Sequence, residues 1–99
     1  MTHTRSMIYK PTDESRELFL FTINDGRIYQ ASIIPAVENL KKKINKGIFD
    51  KEKAVDLFYY VATAGSNLYK KYYGYSFDVT ARYTAAADML DYFMEDIEA

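Results

Sequence analysis

The side chains able to move protons, hold a metal ion or attack a substrate are few in this chain, and their spacing points away from catalysis. The one histidine, His3, stands at the extreme start, so the body of the chain lacks the residue that a catalytic triad or a histidine-bearing metal site needs. There is no cysteine. That removes disulfides, thiolate zinc sites and a cysteine nucleophile, and it is compatible with a reducing compartment. Asp88, Asp91 and Glu95 recur at i, i+3 and i+7 on one helix face, a pattern that ordinarily marks solvated surface; a divalent-cation site or a glycosidase-like carboxylate pair is the sharper alternative. Gly26, Gly47, Gly65 and Gly74 are isolated from one another, so no glycine-rich phosphate cradle can be assembled. The chain reads as non-enzymatic, with no metal and no cofactor implied.

What the chain has in excess is tyrosine: ten in 99 residues, well above ordinary usage. Tyrosine joins a large apolar ring to a polar tip, which suits both wet-edged cores and binding surfaces. Tyr72 and Tyr83 fall on apolar helical stripes and are expected in the core. Tyr60 falls on the polar side of its helix, and Tyr69, Tyr73 and Tyr75 crowd Lys70 and Lys71 in the segment YKKYYGY. With Lys42, Lys43 and Lys46 these residues could make a basic, aromatic patch for a protein partner or for nucleic acid. A plainly solvated lysine face is the bland alternative, since consecutive lysines fan around a helix and Glu38 can pair with Lys42 at i, i+4.

The elements that would position these residues follow from the hydrophobic pattern. Residues 1–15 mix Thr, Ser, charges and Pro11 without periodicity and read as a flexible arm, although Met7-Ile8-Tyr9 could pair as a short edge strand. Residues 16–99 read as a single α+β domain. The run Leu18 to Ile23 and the run Arg27 to Ile34 flank Asn24-Asp25-Gly26, which predicts an N-terminal β-hairpin with Gly26 at positive φ. Both faces of that ribbon are apolar, so Leu18, Leu20, Phe19 and Phe21 are expected to drive self-association, most simply into a dimer. The alternative is a ribbon covered by helices on both sides within one subunit.

One short and two long α-helices should follow. Pro35 suits a first turn, Val37, Leu40 and Ile44 form a stripe, and Gly47 ends it. Asp50 caps a second helix carrying Ala54, Phe58, Val61, Gly65, Leu68 and Tyr72, with Gly74 as its stop. Ser76 or Asp78 caps a third, with the stripe Val79, Tyr83, Ala86, Leu90, Phe93 and Ile97. The brief connection predicts that the long pair folds as an antiparallel helical hairpin, setting Gly65 near Ala86 and Ala87, Val61 near Leu90 and Phe58 near Phe93.

The formal net charge is only −1, yet residues 41–71 are lysine-rich and residues 78–99 acidic, so the molecule should be electrically two-sided. The opening residues hold no apolar run fit for a signal peptide, and no later segment is apolar for long enough to span a bilayer. A soluble, cytoplasmic protein with no membrane partner is expected.

The order of landmarks resembles a family of small, uncharacterised proteins encoded by tailed bacteriophages and prophages. The residues that carry the likeness are Asn24-Asp25-Gly26 with Ile28-Tyr29, Pro35, Asn39-Leu40 with Lys43, and Gly47 preceding Asp50. Ala54, Ala64, Tyr69, Lys71, Phe77, Arg82 and Ala86 continue it, so that it spans residues 17–95. Members commonly have a longer segment between the second and third helices than Gly74 to Phe77 provides here. The resemblance implies a phage origin and the bacterial host cytoplasm, but no reaction. Phage accessory proteins of this size often bind and disable host machinery, including nuclease-based defences. The leading expectation is therefore a protein that binds and modulates or inhibits a host protein. Nucleic-acid binding through the lysines and tyrosines is the alternative, and a nucleotide-holding pocket at a dimer seam is a third.

Overall fold

The computed structural model describes residues 10–98, and among them every regular element is helical. Helix α1 is Asp13–Asn24. Helix α2 covers residues 26–45 in three stretches: a turn at Gly26–Ile28, a π-helical stretch at Tyr29–Ile33 and an α-helical stretch at Ile34–Asn45. Helix α3 is Lys51–Tyr73 and α4 is Val79–Glu98. The protein is a helical bundle and not an α+β domain, so the expected β-hairpin does not exist.

The reason lies in three local features. Thr12 and Ser15 form a reciprocal capping box, the Thr12 hydroxyl accepting from the Ser15 N–H at 3.0 Å and the Ser15 hydroxyl accepting from the Thr12 N–H at 2.9 Å, which starts α1 before the apolar run begins. Residues 18–23 are apolar almost throughout, so they fit a helical period as well as an alternating one; the buried set Ser15, Leu18 and Thr22 has spacing 3 and 4. Finally, Asp25 caps a helix instead of shaping a hairpin turn. Its Oδ1 accepts from the N–H groups of Arg27 and Ile28, each at 3.0 Å, and Gly26 is not at positive φ. Residues 13–15, read from the sequence as part of a flexible arm, are the first turn of α1; His3 and the proposed strand at Met7-Ile8-Tyr9 lie outside the described residues.

Pro35 cannot donate to a carbonyl one turn back, and its ring would crowd that carbonyl in a regular α-helix. The chain passes it by widening first: the Ile34 N–H bonds to the Tyr29 carbonyl, five residues earlier. Beyond it α2 runs as expected to Gly47, where φ is +72°. Helix α3 also has the expected ends, with Asp50 Oδ1 accepting from Glu52 N–H at 2.9 Å and Lys53 N–H at 3.3 Å, and Gly74 at φ +74°. Asp78 starts α4 by accepting from the Ala81 N–H at 2.8 Å.

Helices α3 and α4 make the largest interface and run antiparallel, with Tyr69 against Phe77 beside the turn and Phe58 stacked on Phe93 at 5.9 Å far from it. Helix α1 lies against both of them. This third helix explains why burial is wider than a single stripe: Val55, Ala62 and Ser66 of α3 and Ala81, Thr84, Ala85 and Met89 of α4 are buried beside the expected positions. Two expected core residues are surface instead, Val79 and Tyr72.

Gly65 marks the tightest crossing. A Cβ built there would overlap Thr22 Oγ1 and sit 3.0 Å from its Cβ and Cγ2, so the nearest neighbour in that direction is α1. Thr22 tolerates burial because its hydroxyl donates to the Leu18 carbonyl at 2.7 Å. Among the described residues no buried side-chain polar atom lacks a partner.

Candidate interaction surface

The C-terminal end of α3 carries the densest grouping of rings. Phe21 of α1 meets Tyr69, Tyr72 and Tyr73 edge-on at 5.1, 6.3 and 6.4 Å, the arrangement that aligns the positive edge of one ring with the negative face of the next. From the connecting segment, Phe77 meets Tyr69 at 4.9 Å and Tyr75 at 5.0 Å. Phe77 is buried and forms the floor; Tyr72, Tyr73 and Tyr75 stand above it half-exposed or more, with Tyr73 the most open at 66%.

Polar groups fix the tips of these rings. The Tyr69 hydroxyl donates to Glu17 Oε2 at 3.3 Å and the Tyr75 hydroxyl donates to Glu14, both on α1. Arg27 at the start of α2 donates to the Tyr72 hydroxyl, its guanidinium 6.0 Å from the ring centre. Loss of hydration, and then the Glu17 charge, hold the Tyr69 phenol above its ordinary value; for Tyr75 the bond to Glu14 is the leading cause, followed by loss of hydration. Both phenols therefore stay protonated donors through the neutral range.

The sequence-derived patch is divided by this arrangement. Tyr69, Lys70, Lys71, Tyr73 and Tyr75 come together at the C-terminal end of α3, with Lys70 and Lys71 exposed. Lys42, Lys43 and Lys46 lie at the end of α2, where Lys43 shares a groove with Lys53 and Tyr60 near the start of α3. From Lys53 to Lys71 along α3 is about 27 Å at the ordinary rise per residue. Tyr60 belongs to that second place, open to solvent and edge-on to Tyr59. The expected lysines of the patch therefore fall at opposite ends of α3.

The four residues expected to self-associate are also separated. Leu18 is fully buried in the core, Phe19 packs on Tyr92 at 5.7 Å, Phe21 joins the tyrosines, and only Leu20 is broadly exposed. The two-faced ribbon that motivated a dimer is absent, because one side of that segment is satisfied by α3 and α4.

Phe21, Glu14, Glu17, Arg27 and Tyr72 were not expected at this surface. Glu14, Glu17 and Phe21 stand at i, i+3 and i+7, so a helical reading of the first apolar run would have put them on one face. Elsewhere, Arg82 lies 5.3 Å over Tyr59, which stacks on Tyr83 at 4.0 Å, and donates to Thr63 at 3.4 Å; its place is between α3 and α4. Asp88 is half-buried within the field of Arg16, whereas Asp91 and Glu95 are exposed. Among the described residues no group of three or more acids and histidines is arranged to hold a metal ion, and no helix is long and apolar enough to cross a membrane.

Compared with protein families, curated proteins and solved structures, the chain finds no match.

Proposed function

We propose that this chain acts by binding another protein, not by catalysis, and that the tyrosine-rich end of α3 is its docking surface. The observation that carries the reading is the state of Tyr72, Tyr73 and Tyr75: half-exposed or more, yet mounted on Phe21 and Phe77 and tethered at two of the three hydroxyls. Tyrosine supplies large contact area with few rotatable bonds, and rings already held in place lose little freedom when a partner covers them. Following the phage resemblance, the partner is a host protein in the bacterial cytoplasm whose activity is modulated or inhibited, with nuclease-based defences the first class to screen.

The test is capture from bacterial lysate on immobilised wild-type protein and on a Tyr72→Ala/Tyr73→Ala variant. The reading expects one host protein to bind saturably to the wild type and at least tenfold more weakly to the variant, a loss of about 1.4 kcal/mol or more. Equal capture by both proteins, or none by either, overturns it. Binding of DNA or RNA that falls steeply with salt and vanishes in Lys70→Glu/Lys71→Glu would replace it with the nucleic-acid reading.

A further inference from the structure

The last turn of α3 places two phenols in ring contact. Tyr69 and Tyr73 are four residues apart, so both side chains lie on one face of the helix. Their ring centres are 4.6 Å apart with the planes tilted by 47°, at the near end of the range in which aromatic rings touch. Tyr73 is broadly exposed, whereas Tyr69 is half-buried. The Tyr69 hydroxyl donates to the Glu17 carboxylate at 3.3 Å. A phenol held in this way gives up an electron more readily, because the proton that must leave with it has an acceptor in place.

Competing sites are weaker. The chain contains no cysteine and no tryptophan, the side chains that otherwise react with a one-electron oxidant before tyrosine does. Tyr59 and Tyr83 are closer, at 4.0 Å, but they stack nearly face to face and both are half-buried. The Arg82 guanidinium also lies over Tyr59, where a positive charge opposes the loss of an electron. Tyr75 has a carboxylate acceptor in Glu14, yet its ring centre is 6.4 Å from that of Tyr69.

We infer that Tyr69 and Tyr73 form an oxidative cross-linking site, at which hydrogen peroxide acting through a haem peroxidase joins the two rings as an intramolecular dityrosine. Tyr73, at the surface, gives up the first electron, with its hydroxyl proton going to water. An electron from Tyr69 refills it as it takes a proton back, the Tyr69 proton passes to Glu17, and a second oxidation at Tyr73 leaves a radical on each ring. A bond forms between one carbon ortho to each hydroxyl, and the hydrogen on each of those carbons moves to oxygen, restoring both phenols. In sum, one C–C bond replaces two C–H bonds, two electrons and two protons are lost, and one hydrogen peroxide is reduced to two waters. The link closes the last turn of α3 and fixes the ring of Tyr73. It forms in the isolated protein, so it stands or falls apart from the partner binding proposed above.

The test is incubation of the whole protein, at low concentration, with a haem peroxidase and hydrogen peroxide, followed by intact mass measurement and tryptic digestion. Cleavage after Lys70 and Lys71 separates residues 54–70, which hold Tyr69, from residues 72–82, which hold Tyr73. Neither peptide contains methionine, whose oxidation to the sulfoxide would confuse the masses. A monomer lighter by two hydrogens is expected, and it should release the two peptides joined. Tyr69→Phe and Tyr73→Phe, each verified as helical by circular dichroism, are expected to lose the joined species. Tyr72→Phe/Tyr75→Phe, which leaves Tyr73 as the one tyrosine in residues 72–82, is expected to keep it. Glu17→Gln should slow its formation roughly tenfold, less than the hundredfold or more that a fully enclosed base supplies. No joined species, joining only between molecules, a link from residues 54–70 to residues 83–99 in its place, or survival of the link in Tyr69→Phe or Tyr73→Phe overturns the proposal. So does an unchanged rate in Glu17→Gln, since that carboxylate is what singles out Tyr69.

Discussion

Helices α1 and α3 meet twice, in opposite ways. At Thr22 and Gly65 the contact is made by removing atoms: a glycine stands in mid-helix, and a buried hydroxyl turns back on its own carbonyl so that the two backbones can close up. At Phe21 and Tyr69, one residue before Thr22 and four after Gly65, the contact is made by adding rings, several of them open to water. The first arrangement fixes distance and leaves nothing to display. The second leaves large side chains standing above a rigid base. A crossing tight enough to hold α1 in place is what allows the residue just before it to serve as a mount for exposed tyrosines.

The sharpest way to break this contrast is Gly65→Ala. One added methyl group gains up to about 1 kcal/mol in helix propensity but forces Thr22 or the whole of α1 aside, at a cost of about 3 kcal/mol. The expected net loss is about 2 kcal/mol, read as a melting temperature roughly 10 °C lower. Thr22→Ala in the same chain should recover part of that loss, and a double-mutant cycle measures how much. Full additivity would mean that the two residues do not meet.

At the aromatic end the expected stability change is smaller although far more atoms are removed. Tyr73→Ala deletes an entire exposed ring and should cost less than about 1 kcal/mol by chemical denaturation, while still weakening capture of a partner. A loss as large as that of Gly65→Ala would make Tyr73 a core residue and end the contrast.

The smallest effect is a pH dependence on the other side of α1. Burial, opposed by Arg16 and helped by Asp91, raises the Asp88 carboxyl above its ordinary 3.8. A raised acid stabilises the fold in its protonated form, so this contribution is complete below about pH 3.8 and is lost as pH rises through the higher folded value. Asp88→Asn should therefore melt higher than wild type at pH 6 and converge with it near pH 3. The reverse order at pH 6 would show that the Arg16 charge outweighs burial.

From Pro35 onward the helices were legible because their boundaries are chemical: Asp50, Gly74 and Asp78 each offer a cap or a left-handed turn that few other residues supply. Phe58 against Phe93 followed from counting away from the turn. The first third was misread where that information thins out. An unbroken apolar run has no period, and Asn-Asp-Gly suits a hairpin turn and a helix cap alike. The missing hint was Thr12 and Ser15, a capping box made with serine at the position where glutamate is the familiar signal. That single error moved Phe21 from a tyrosine cluster to a dimer seam, and it hid the partners that Glu14 and Glu17 provide.

Asp25 is the whole of the connection between α1 and α2, and its carboxylate is already committed to the two N–H groups that follow. A joint of one residue has no slack to absorb a push. A push on Phe21 therefore leans on an elbow whose other arm is α2, and along α1 the next stretch it meets is the turn at Gly26–Ile28 and the π-helical stretch behind it.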